Sequence, residues 1–489
     1  MVQSSSDIEN NKERLLENLH QPSDFATRAI TFQGKRGLLL YLESVSDTVK
    51  IQKSILTPLS SNEKATIEET VTSAKVGVYT NINEAATRLL KGDCLLLIEG
   101  DCSIYAASAE SEVSRAPEEP FNEKVVRGSH DGFVENMNQN IGMIRNRIED
   151  TDLVFKQFSV GKKTKTKVVL AYMDSVVNKD ILQEVERRIE SIAIDMIVSP
   201  GFMVEFLENK SFSPFPQFLP TERPDRAAAH IMDGRIALLS EGTATSLILP
   251  VTFIAFFQSP DDFNSRILSG SFFRLLRMLS FLVATTLPAI YIAIIGFHFE
   301  ILPNELVLPI KASLEGIPFP PIVEAFIMVF TIELIREAGV RLPTPIGQTI
   351  GIVGGLVIGD AVVNAGFISN VMVIVIAITA VASFTVPTYE MGASIRLLTF
   401  PLMIAASLLG FLGIVMGMMI ILLHLCKLES FGTPYFSPFA PIDLQGLKDS
   451  IIRFPIWKMN HRPRDVQPKD TDQQQRTRGW AKRAPKKRR

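Results

Sequence analysis

Four glycines at strict four-residue spacing, Gly347, Gly351, Gly355 and Gly359, run through an apolar stretch that ends on a lone acid, Asp360. On a helix this spacing draws one smooth ridge where a neighbouring backbone can approach closely, which is how helices associate in lipid. An ionisable side chain at membrane depth is costly and marks function by default, usually an ion or proton path. The chain must therefore be read as one with a membrane-embedded part.

Composition averaged over 489 residues conceals this plan, because the charges lie mostly before residue 240 and after 450. From Arg453 onward there are thirteen Lys/Arg against three Asp, which leaves 37 basic and 49 acidic groups before it. An acidic body thus carries a basic tail. Cys94, Cys102 and Cys426 have neither disulfide nor zinc spacing and suit a reducing compartment. The first thirty residues hold no apolar core of a secretory signal, so the soluble part is expected to remain cytoplasmic.

Hydropathy and turn signals divide the chain into five parts: a flexible leader (1–24), two small α/β lobes (25–120 and 121–242), a helical polytopic membrane domain (243–440) and a basic cytoplasmic tail (441–489). In the first lobe Leu38–Glu43 and Cys94–Glu99 read as strands, Asn83–Leu90 as a helix and Glu99-Gly100-Asp101 as a hairpin turn. The leader has one helical candidate, Ile8–Leu19. In the second lobe Phe133–Ile148 and Lys179–Ile194 read as helices, and Lys167–Met173 and Ile236–Ser240 as strands. The membrane domain starts with a short, Pro-containing apolar run, Thr243–Gln258, expected to be re-entrant. Phe263–Arg277 suits a helix lying at the lipid interface, with Arg266, Arg274 and Arg277 among Phe and Leu. Spans are expected at Met278–Phe297, Pro321–Glu337, Ile346–Phe367, Asn370–Val386 and Leu397–Cys426. Both termini inside requires an even number, and the sequence admits six or four.

Around Asp360, the residues Thr349, Val353, Leu356, Val363 and Asn364 share a face, and the glycine ridge starts about 100° away. In a ring of copies that face would line a pore, with Asp360 as an acidic ring and Leu356 and Val363 as apolar constrictions. The competing reading pairs Asp360 with an Arg or places it among headgroups, with the glycines only packing. Glu324 and Glu333 lie nine residues apart, about 180° around a helix, and cannot form one carboxylate pair. Glu333 with Arg336, and Glu337 with Arg341, are spaced for internal charge pairing, and Glu324 remains a second pathway candidate. The charged loop of Glu222, Arg223 and Asp225 is a candidate latch between the second lobe and the membrane domain or a neighbouring subunit, a solvated turn being the alternative. Arg127, Arg145 and Arg147 look like an anion patch, although a solvated helix face is the preferred reading. The six histidines are dispersed, and no metal-binding spacing, Walker loop or serine elbow occurs, so no enzyme, cofactor or metal is expected. The tail suits anionic lipid better than nucleic acid, since its last stretch lacks interleaved aromatics beyond Trp480.

In order along the chain stand Arg127-Gly128-Ser129 with Gly132-Phe133, Thr221-Glu222-Arg223-Pro224-Asp225, Pro318-Phe319-Pro320 with Glu324, Arg336-Glu337-Ala338-Gly339 and Pro345-Ile346-Gly347-Gln348. This order resembles the GerA family of spore germination receptor A subunits over roughly residues 25–440. The resemblance implies a spore inner-membrane protein that acts with a transporter-like B subunit and a lipoprotein C subunit and oligomerises into a nutrient-gated cation channel. It also leaves open the similar spoVA-operon paralogue. Two departures stand out: Glu241-Gly242 where the family pattern has Asp-Gly, and Asp360 where it has an uncharged polar residue, so the resemblance gives Asp360 no role. A secondary transporter and a membrane scaffold without its own pore are the alternative functions, the first disfavoured because the glycine-rich helix has no counterpart elsewhere.

Overall fold

The computed structural model describes residues 3–61, 66–111, 119–343, 355, 359–444, 446–475 and 478. The first lobe is a five-stranded antiparallel sheet, β1 (Phe25–Phe32), β2 (Lys35–Leu42), β3 (Val76–Tyr79), β4 (Asp93–Ile98) and β5 (Ile104–Ser108), ordered β1-β2-β4-β5-β3. The fully buried β4, Asp93–Ile98, forms its middle. Two helices cover one face: α1 (Ile8–Asn18) and α2 (Ile82–Leu90). The leader is therefore not a flexible arm. Asp7 caps α1 by accepting the amides of Glu9 and Asn10, and Ile8, Leu15 and Leu19 enter the same core as Ile82, Ala85 and Leu89.

The second lobe has the same kind of sheet, with β6 (Leu153–Val160), β7 (Thr166–Met173), β8 (Leu219–Thr221), β9 (Ile236–Ser240) and β10 (Ser246–Leu249) ordered β6-β7-β9-β10-β8. Its helices are α3 (Met137–Arg145), α4 (Lys179–Glu190), α5 (Pro200–Leu207) and α6 (Pro224–Met232). Strand β10 corrects the re-entrant reading of Thr243–Gln258. Ser246–Ile248 pairs with β8 and Leu247–Leu249 with β9, and Phe253–Phe257 follows as a buried 3-10 turn. Sixteen residues are too few to span a bilayer as a helix, but a buried strand and an aromatic turn use the apolar ones fully.

The lobes are fixed to each other by a buried ion pair. Arg145 at the end of α3 donates to Asp24 at 2.7 Å, both side chains are 1% exposed, and the guanidinium lies 4.7 Å from the Phe155 ring centroid. Ser44 also donates to Asp24. One turn earlier, Gly142 lies directly against the Ser44 carbonyl, where a Cβ would have no room. Arg145 is thus a joint between lobes, which corrects its reading as part of a solvated helix face.

The helical region opens with α7 (Ile267–Phe297), one 31-residue helix where the sequence suggested an interfacial helix followed by a span. Then come α8 (Asn304–Leu314), α9 (Pro321–Arg341), a short helix Gly359–Asn364, α10 (Asn370–Phe384), α11 (Tyr389–Leu409) and α12 (Phe411–Lys427). Leu397–Cys426, expected as one span, is split by Gly410. Its φ of +61° turns the chain back, and Gly413 then packs on the Ala405 carbonyl and Gly417 on Leu402, as in an antiparallel hairpin. Two described helices, α7 and α11, are long and apolar enough to cross a bilayer, and α10 and α12 are shorter apolar helices.

The segment after residue 441 is not a free tail as far as it is described. Asp465 pairs with Arg235 at 2.5 Å, Val466 is buried, Arg462 donates to the Met232 carbonyl, and the Lys469 amide donates to the Val176 carbonyl. The terminal basic run, 479–489, lies outside the described residues.

The interlobe joint can be tested by removing one partner. Asp24→Ala leaves Arg145 buried without its acid and should cost roughly 3–5 kcal/mol, whereas Asp24→Leu with Arg145→Met should restore most of that; thermal unfolding of the purified protein measures both. A second test concerns Asp233, which accepts from Gln473. Burial, helped by Asp465 and Asp449 and opposed by Arg235 and Arg462, raises its carboxyl from 3.8 to about 7. A raised acid contributes stability that is fully present below the unfolded value and is lost as pH rises through the folded one. Docking of residues 446–475 should therefore weaken between pH 3.8 and about 7, and Asp233→Asn should remove that slope in hydrogen-exchange protection of the segment.

Candidate functional site

Buried charges inside and beneath the helices form the candidate site. One is Glu324, in the first turn of α9 and 0% exposed. Its Oε2 accepts the Ser369 amide at 2.9 Å. Ser369 caps α10 by accepting the Met372 amide at 3.1 Å, and its hydroxyl lies 3.2 Å from the Tyr291 hydroxyl of α7. The carboxylate therefore sits at the positive end of the α10 dipole, which stabilises a negative charge there. Among the described residues Glu324 has no cationic partner, and its Oε1 accepts no hydrogen bond. Three helices meet at this one acid.

Further along α9, Glu333 takes Arg336 at 2.8 Å and Arg396 of α11 at 3.3 Å. Arg336 stacks over Phe384 at 4.6 Å and reaches Ser383 at 3.4 Å. Glu337 pairs with Arg341 at 2.6 Å. Both pairings expected from the spacing are present, and Arg396 adds a contact between α9 and α11.

At the base of α7, Asp262 receives both Arg274 and Arg277, and Arg274 also reaches the Asp449 carboxylate at 2.9 Å. Arg277 donates to the Phe257 carbonyl, while Arg453 donates to the carbonyls of Ser265 and Phe263. Arg274 and Arg277 are buried, so they do not face lipid headgroups. An arginine pair three residues apart in a Phe/Leu run signals buried acids elsewhere, but spacing alone cannot say which.

The loop of Glu222, Arg223 and Asp225 turns inward. Arg223 is 0% exposed and donates to Asp225 at 2.7 Å and to the Ser129 carbonyl at 2.8 Å, and Glu222 accepts the Asn122 amide at 3.0 Å. Arg226 pairs with Glu123 and donates to the carbonyls of Ala255 and Gln258, in the connector to α7. The loop, with Arg226 in the first turn of α6, ties residues 122–133 and the connector to α7 onto the second lobe within one chain.

Of the pore candidates, Thr349, Val353 and Leu356, with the ridge residues Gly347 and Gly351, lie outside the described residues. Asp360 and Asn364 are exposed and Val363 half-buried on the short helix Gly359–Asn364. Asp360 makes no ion pair among the described residues, and a Cβ at Gly355 or Gly359 would meet nothing within 4 Å. Asp360 and Glu324 are thus two acids in opposite surroundings, one open and one sealed. Among the described residues no cluster of His, Cys, Asp and Glu could hold a metal.

The family model described as Bacillus/Clostridium GerA spore germination protein matches residues 13–465. Spore germination protein B1 of Bacillus subtilis (strain 168) is 38% identical over 97% of this chain and 100% of its own length. The membrane protein YfkQ of the same organism is 38% identical over 94% of this chain and 91% of its own. A crystal structure of the N-terminal domain of the A subunit of the Bacillus megaterium spore germinant receptor GerK3 is similar at 25% identity with a TM-score of 0.41, over 52% of this chain and 98% of that one. By its match over nearly the whole length, the chain belongs to the GerA family of spore germination proteins.

Proposed function

We propose that the protein is the A-type subunit of a spore germinant receptor, embedded in the spore inner membrane, whose copies surround an axis and form a nutrient-gated cation pathway. The lobes and the C-terminal segment are cytoplasmic, and a transporter-like B subunit and a lipoprotein C subunit complete the receptor, with nutrient recognition mainly on B. Membership of the GerA family supports the receptor role. The helices α7 and α11 and the membrane relative support the embedding.

One observation carries the pathway. Glu324, Glu333 and Glu337 of α9 each have a partner within the chain, whereas Asp360 stands exposed beside Gly359, where among the described residues a Cβ would meet nothing within 4 Å. A second copy packed on that edge would turn the Asp360 side toward a shared axis, where a ring of acids favours cations and apolar neighbours hold a resting pathway dry.

Ion flux through purified protein in liposomes tests this. Asp360→Asn should reduce cation selectivity or conductance, and Val363→Ala should leak without nutrient. Cysteines at 360, 363 and 364 that stay inaccessible to aqueous reagents in resting and activated protein would sink the assignment.

Glu324 offers a separate prediction. Glu324→Gln keeps an acceptor for the Ser369 amide, whereas Glu324→Ala leaves that amide unsatisfied and should cost about 1–3 kcal/mol. If Glu324 only caps α10, the Gln variant should match wild type in both melting temperature and flux. Reduced flux at unchanged stability would instead put Glu324 on the ion path.

A further inference from the structure

Helix α5 and the loop that follows it present an apolar surface beside the ends of α11 and α12. Met203 and Leu207 anchor the helix in the core of the second lobe, both 0% exposed. On the other side Phe202 is 47% and Phe206 50% exposed, four residues apart and so on one face. Phe212, in the loop, is fully exposed. Glu205 lies about 60° from Phe202 and borders this face.

The level of this surface is set by the contacts on either side of Phe212. The Lys210 ammonium donates to the carbonyl of Lys427, the last residue of α12, at 3.2 Å. The Ser213 hydroxyl lies 2.8 Å from His424 Nε2, one turn further in. Ser394, about 7 Å along α11 from its start at a rise of 1.5 Å per residue, donates to the Pro214 carbonyl, and Phe215 stacks on the His424 ring with centroids 6.0 Å apart. Phe212 is therefore pinned at the depth of the last turn of α12. Ile420, 65% exposed and one turn before His424, and Leu423, 52% exposed, keep the outer side of that helix apolar at the same end.

We infer that α5 and the Phe212 loop dip into the cytoplasmic leaflet, with Phe202, Phe206 and Phe212 at the boundary of headgroups and acyl chains and Lys210 and Lys427 at headgroup level. The inference rests on the membrane reading of the helices. Lipid is the occupant because Lys210, Ser213 and Phe215 tie the loop to the end of α12, a helix whose exposed side is apolar, and because phenylalanines flanked by lysines match the depth preference of an interfacial helix. The second lobe is then held at a fixed height on the bilayer by side chains of its own.

Full-length protein lacking Cys94, Cys102 and Cys426, spin-labelled singly at positions 206, 212, 419 or 49 and placed in lipid nanodiscs, tests this by collision with oxygen and with a water-soluble nickel chelate. Labels at 206 and 212 should collide with nickel about tenfold less than the label at Val49 of the first lobe, while keeping high oxygen access. Nickel access equal to that at Val49 overturns the inference and leaves the membrane reading intact, provided the Met419 label remains lipid-exposed. Labels shielded from both reagents overturn it in favour of a second copy covering the surface. A Met419 label open to nickel overturns the membrane reading itself, and this inference with it.

Discussion

Asp262 holds the molecule together at its most demanding place. It lies in the one-turn helix Pro260–Asn264, capped by Ser259, and is 2% exposed while receiving two arginines from α7. Taking a carboxylate and two guanidinia out of water costs several kcal/mol per ion, which is offset only when every partner is in place. Asp449 adds a second acid to Arg274, so two arginines of α7 meet two aspartates. The acid that completes it comes from the C-terminal segment, 175 residues after Arg274. The long helix, the turn before it and the segment after the last helix therefore depend on one another.

This cluster gives the second lobe its place under the helices. Phe257, at the end of the lobe's aromatic turn, accepts from Arg277. Thr388, just before α11, donates to the Phe256 carbonyl, and Ser430, just after α12, accepts the Val251 amide. Contacts from three helices and their flanks thus converge on one stretch, residues 251–257. Arg226 reaches the same connector from the first turn of α6, and Arg145 carries the rigidity on to the first lobe through Asp24. A displacement of either lobe has a continuous, well-packed route to the base of α7, because each joint is a buried charge with fixed partners. Such joints have discrete rather than graded arrangements, which suits a two-state response.

Features set by local periodicity were legible in the sequence. The strands near Leu38 and Cys94, the hairpin at Gly100 and the Glu333–Arg336 and Glu337–Arg341 pairs depend on neighbours within a few residues. What escaped depends on distant partners. Arg274 and Arg277 read as interfacial because Asp262 and Asp449 cannot be matched to them by spacing. Ser246–Leu249 read as membrane because its apolar residues match hydropathy equally well, and only β8 and β9 make it a strand. The break at Gly410 hung on a single residue's positive φ inside a long apolar run. Ile8–Asn18 was visible as a helix, but its mean polarity concealed the narrow stripe of Ile8, Leu15 and Leu19 that binds it to the sheet.

Two acids of the helical region, Glu324 and Asp360, have their charges met in different ways. Glu324 is buried, but the α10 dipole and the Ser369 amide already compensate one of its oxygens, so its cost is met within one chain. The unpaired Oε1 leaves a single unsatisfied position where three helices meet, sealed from solvent. Asp360 has the opposite condition. It forms no ion pair among the described residues, and among these a Cβ at Gly359 of the same helix would meet nothing within 4 Å. A charge compensated within the subunit can persist whatever the assembly does. In the proposed membrane setting, an acid left open is tolerable only against water or a mobile cation, because lipid would exact the full desolvation cost. The proposed ring of copies supplies the aqueous lumen that such a charge needs, and the described residues of one chain do not enclose one around Asp360.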